Sequence, residues 1–82
     1  MDHIIVNLQP FVYEQEIQVY KNGECIKIAK SSMNNLDENI AVNAKIHDIF
    51  NIDIVGSKLW GKQLKKRLQM NKFKMDLNIT LY

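Results

Sequence analysis

Apolar and polar residues alternate from His3 to Gln9, with Ile4, Val6 and Leu8 on one side and His3, Ile5, Asn7 and Gln9 on the other. A period of two predicts a strand with one buried face. Pro10 cannot donate to a ladder and belongs to the connection that follows. A second alternating run then sets Phe11, Tyr13, Ile17 and Val19 against Val12, Glu14, Glu16, Gln18 and Tyr20. Asn22-Gly23 is the pair best suited to a two-residue turn with φ > 0 at both central positions, so Val12 to Ile28 reads as a hairpin. On that register Ile26 and Ile28 point inward and Cys25, Lys27 and Ala29 outward, and the chain opens as a three-stranded meander.

After Lys30 the period changes. Asn35 or Asn34 is placed to cap a helix by accepting from its unpaired backbone N–H groups. Asp37 and Glu38 suit the positive end of the helix dipole. Leu36, Ile40, Val42, Ala44, Ile46, Ile49 and Phe50 form a broad apolar arc, which predicts a helix to about Phe50. Ile52 to Val55 is a short apolar run, as a central parallel strand requires. Gly56 and Ser57 turn the chain into a second helix, Lys58 to about Met70, with Trp60, Leu64 and Leu68 four apart. Gly61 costs that helix about 1 kcal/mol relative to alanine, and a close approach to the sheet would account for it. A last strand, Met75 to Leu81, turns Leu77, Ile79 and Leu81 inward.

The order is therefore β-β-β-α-β-α-β. If strands one, three, four and five are parallel and strand two antiparallel, both crossovers run in the same sense, and right-handedness puts both helices on one face. The predicted architecture is a single α/β domain over residues 1–82, a two-layer sandwich. Its mixed five-stranded sheet has the order 3-2-1-4-5, with one face left open. This element order resembles the ribonuclease H-like fold and the actin-like ATPase half-domain. In the nucleases, carboxylates in strand one and at the end of strand four hold metal ions; here those positions carry Asn7 and Val55-Gly56. The first turn, Asn7-Leu8-Gln9-Pro10, also lacks the residues of an actin-like phosphate loop. The resemblance implies a fold and, by itself, no catalysis.

Composition narrows the class further. With 46% hydrophobic and 24% charged residues the 82-residue chain is an ordinary small domain with a thin core. One cysteine, Cys25, allows no internal disulfide and fits a reducing compartment. No run is long and apolar enough to span a bilayer, and the Met-Asp-His start has no signal-peptide pattern. The expected location is the cytoplasm, of a bacterial cell or a phage-infected host. The Ile, Asn and Lys bias is that of AT-rich coding and points to a low-GC bacterium, or to a phage or mobile element living in one. Residues 1–57 hold four lysines against eight acids, a net of −4, whereas residues 58–82 hold seven bases against one acid, a net of +6.

Several groups of residues are candidates for function. Gly56, Ser57 and Lys58 have the ingredients of an anion site at a helix N-terminus, although a capped βα turn looks the same. Lys58, Lys62, Lys65, Lys66, Arg67, Lys72 and Lys74 form a basic surface, read as a footprint for nucleic acid or an acidic protein, or as a solvated helix face. Asn39, Asn43 and His47 recur every four residues as a polar stripe in the first helix. With Ile5, Val12 and Tyr20 they are candidate interface residues. Tyr20, Lys27, His3 and Asn7 are expected on the open face as a platform of the kind that stacks bases. His3 and His47 lack a third ligand for metal, and Cys25 has no base beside it. The reading is a non-enzymatic binding protein without cofactor that docks onto a protein partner and self-associates. The alternatives are a nucleic-acid-binding protein using the basic helix and a degenerate ribonuclease H-like enzyme.

Overall fold

A computed structural model describes residues 1–70 and 74–82. The strands are β1 (His3–Leu8), β2 (Glu14–Lys21), β3 (Glu24–Ser32), β4 (Asn51–Gly56) and β5 (Asp76–Leu81), and the helices are α1 (Leu36–His47) and α2 (Lys58–Met70). The sheet has the order β3-β2-β1-β4-β5. β2 is antiparallel to both its neighbours, and the β1/β4 and β4/β5 pairs are parallel. This is the architecture that the element order and crossover rule predict.

One side of the sheet is the core. Ile4, Val6 and Leu8 of β1, Ile17 and Val19 of β2, and Ile52 and Ile54 of β4 are fully buried. Leu36, Ile40 and Ala44 of α1 and Leu64 and Leu68 of α2 close over them. Both helices thus lie on the same face, and no segment among the described residues covers the other.

Three local expectations change. The hairpin turn is as predicted, with φ of 54° at Asn22 and 81° at Gly23. A register shift between Val19 and Tyr20 then inserts one residue in β3, so Val19 pairs with Lys27 and Ile17 with Ala29. One extra residue exchanges the two faces of a strand. Lys27, Ala29 and Ser31 therefore lie on the helical side, and Ile28 lies on the open side, 57% exposed. Phe11 and Tyr13 do not belong to β2. They stand in the β1–β2 connection, 95% and 71% exposed.

The third change is in α1, which ends at His47 because Asp48 takes a left-handed conformation, φ 54°, and its N–H returns to the Ala44 and Lys45 carbonyls. Val42 and Ile46 face solvent and Phe50 lies largely outside the core, since one helix cannot bury an arc that wide against one sheet. A short 3-10 turn, Met33–Asn35, leads into the helix. Asn35 occupies the cap position with no side-chain capping bond.

The βα turn after β4 is fixed by Gly56. Its φ is +123°, and a Cβ there would lie 2.3 Å from the Leu8 carbonyl oxygen. A Cβ on Gly61 would meet the Leu81 side chain, which is the close approach to the sheet anticipated for that position.

Candidate functional site

The uncovered sheet face carries the outward residues of every strand. In register from β2 to β5, Tyr20 stands beside His3, Gln18 beside Ile5, Ile5 beside Asp53, and Asp53 beside Asn78. Their polar groups bond to one another. His3 Nδ1 and Asp53 Oδ2 are 2.8 Å apart. The Asn78 amide donates to Asp53 Oδ1 at 3.0 Å and to Asn51 Oδ1 at 2.9 Å. The Tyr20 hydroxyl donates to Gln18 Oε1 at 3.0 Å, and the Tyr20 ring meets His3 edge-on at 5.2 Å.

Sequence reasoning missed the His3–Asp53 pair because fifty residues separate the two. The available signal was Asp53 itself, the single acid inside an apolar strand. A carboxylate holding one imidazole nitrogen orients the ring, as it does in catalytic triads, but among the described residues no serine hydroxyl or cysteine thiol bonds to His3. Cys25 pairs with Tyr20 across β2/β3 and is exposed, its Sγ 3.6 Å from the Lys27 carbonyl. Among the described residues no three His, Cys, Asp or Glu side chains gather as metal ligands.

Beyond this network the face continues into a groove of about 730 Å³ lined by Asn7, Gln9, Val12, Glu14, Glu16 and Lys30 among others. Gln15 fixes one wall from beneath. It is buried, its amide donates to the Gln9 carbonyl at 2.8 Å and the Val12 carbonyl at 3.3 Å, and its Oε1 accepts from the Gln9 N–H at 2.9 Å.

The sequence candidates separate in space. Ile5 and Tyr20 are on the open face, and Val12 is on the groove rim. Asn39, Asn43 and His47 lie on the opposite side of the sheet, and Asn43 is buried. Asn39 donates to Ser31 Oγ of β3 at 2.7 Å, and Asn43 donates to the Asn39 carbonyl at 2.8 Å. Asn43, 5% exposed, presents almost no surface to a partner, and the bulge in β3 turns Ser31 toward Asn39. Lys27 leaves the open-face group for the same reason.

At the βα turn, the Ser57 N–H donates to the Leu8 carbonyl at 3.0 Å, the Lys58 N–H to the Tyr82 carbonyl at 3.4 Å and the Leu59 N–H to Ser57 Oγ at 3.1 Å. These amides are engaged, so Gly56-Ser57-Lys58 is a capped turn and not an open anion cradle. On α2, Lys58, Lys62, Lys65 and Lys66 are exposed, as is Lys74 beyond it; Lys72 lies outside the described residues. Arg67 is withdrawn from the basic surface. Its guanidinium donates to the Met33 carbonyl at 2.8 Å, to the Asn34 carbonyl at 2.6 Å and to the Asp37 carboxylate. It ties α2 to the start of α1.

Compared with known proteins, the chain matches no family model and no curated sequence. No described helix is long and apolar enough to cross a membrane.

Proposed function

We propose that this is a non-enzymatic binding protein of the bacterial or phage-infected cytoplasm, acting through protein–protein contact and self-association at its uncovered sheet face. The observation that carries this reading is the mutual hydrogen bonding of His3, Asp53, Asn78 and Asn51, with Tyr20 and Gln18 beside them. A polar group covered without a partner costs about 1–3 kcal/mol. These groups bring their partners with them, so a protein can cover the face at low desolvation cost. Ile5, Val55 and Ile28 supply the apolar contacts between them. The β-β-β-α-β-α-β order supports a ribonuclease H-like scaffold put to binding, because Asn7 and Val55 occupy the strand positions where such nucleases keep acids.

Sedimentation over a concentration series tests this. The expected result is a mass that rises with concentration in the wild type and stays monomeric in Ile5→Lys, whose half-buried side chain sits centrally on the face. A wild type that is monomeric throughout removes the self-association. A second reading, nucleic-acid binding by α2, has one observation in its favour: the exposed Lys58, Lys62, Lys65 and Lys66 on a helix with no acidic residue.

A further inference from the structure

The two layers of the molecule differ in charge as well as in structure. The open sheet face exposes Glu14, Glu16 and Asp76, with Asp53 half-buried in the polar network, against Lys30 and a single histidine, His3. The groove at one end is framed by Glu14 and Glu16. In the helical layer α2 exposes Lys58, Lys62, Lys65 and Lys66 and no acid, whereas α1 and its C-cap expose Glu38, Lys45 and Asp48, so the basic surface is that of α2. Among the described residues no carboxylate is within ion-pair distance of these lysines, as the two ion pairs are His3–Asp53 and Arg67–Asp37.

The same outer layer also exposes apolar surface. Val42 and Ile46 are one turn apart on α1, 52% and 64% exposed, and Leu59 projects from the first turn of α2. A sheet open on one face and a helical layer with unburied apolar residues are the two halves of one contact. In three-layer α/β proteins, helices cover both faces of the sheet, and a second molecule can supply the missing layer here.

We infer that the protein self-associates head to tail, the basic helical layer of one copy seating on the acidic open sheet face of the next. This rests on the binding reading above and adds which surface covers the face. In this pairing the exposed Lys62 and Lys65 are the cations that answer Glu14 and Glu16, and Val42 and Ile46 are the apolar residues that answer Ile5. The two longer extents of the molecule are 30 and 25 Å, and a face on that footprint is of the order of the ~800 Å² per partner that a stable interface takes. Because the two surfaces differ, the contact is heterologous: it closes as a ring or continues as a filament.

Charge exchange provides the test. Variant one carries Glu14→Lys and Glu16→Lys, and variant two carries Lys62→Glu and Lys65→Glu, all at exposed positions. In sedimentation at low salt, the wild type is expected to exceed dimer mass as concentration rises. Its association should weaken about tenfold or more between about 0.05 and 0.5 M salt as screening shortens the Debye length. Each variant alone is expected to stay monomeric, and an equimolar mixture of the two to associate again. A wild type that plateaus at a dimer, a variant two that associates like the wild type, or a mixture that stays monomeric overturns the inference. If variant two associates normally while Ile5→Lys does not, the head-to-tail geometry fails and the open face remains the docking surface. If the wild type never associates, the self-association itself fails.

Discussion

Gln15 and Asn43 are both polar, both buried and both on the helical side of the sheet, yet their roles differ. Gln15 makes three hydrogen bonds to the backbone of the β1–β2 connection, to the Gln9 N–H and the Gln9 and Val12 carbonyls, and so satisfies its own buried amide. Gln15→Leu keeps the volume but removes all three bonds, and should cost about 1–3 kcal/mol. Asn43 donates only into its own helix, and its Oδ1 is buried without a partner. Asn43→Leu removes an unsatisfied acceptor and replaces a poor helix former with a good one. The expected outcome is a gain of up to about 1 kcal/mol. Urea unfolding of both variants, with unchanged slope, checks the opposite signs.

At the scale of elements, the joint between the two helices is made by Arg67. Its planar guanidinium reaches two carbonyls at the entrance to α1 and the Asp37 carboxylate together, a geometry that an ammonium cannot reproduce. Asp37 sits in the first turn of α1, where the dipole already favours its charge. We expect Arg67→Lys to lose about 1.5–3 kcal/mol, the scale of hydrogen bonds to a charged group. The exposed Lys66→Ala beside it should change stability by less than about 0.5 kcal/mol. Thermal unfolding midpoints compare the two. The same contacts explain why Arg67 cannot serve as a binding residue, although its place in a basic run suggests one.

For the molecule as a whole, charge polarity decides which partners fit. The sheet face exposes more acids than bases, so it repels a phosphate backbone, and a base-stacking platform there is disfavoured even with Tyr20 and His3 present. Among the described residues any nucleic-acid contact falls to the four exposed lysines of α2 and to Lys74. Fluorescence anisotropy with a single-stranded oligonucleotide at low salt measures it. The nucleic-acid reading expects a log–log salt slope of magnitude up to about 3.5, as five neutralised phosphates give on a single strand, and loss of binding in Lys62→Glu/Lys65→Glu. Absence of binding at low salt removes that reading and leaves α2 to a protein surface.

Local periodicity determined most of the fold here. Strand and helix order, the Asn22-Gly23 turn, the Ser57 cap, the inward residues of β1 and β5, and the 3-2-1-4-5 sheet all follow from nearest-neighbour chemistry and crossover handedness. Tertiary structure decided what depends on pairing between distant segments. One inserted residue in β3 exchanged the facing of Ile28 and Ala29 and brought Ser31 to Asn39. Phe11 and Tyr13 fall in the connection whose backbone Gln15 holds, outside β2, and the parallel β1/β4 register joined His3 to Asp53. Alternation along a strand fixes which residues share a face. It cannot fix which face that is once a bulge shifts the count, nor which residues on neighbouring strands meet.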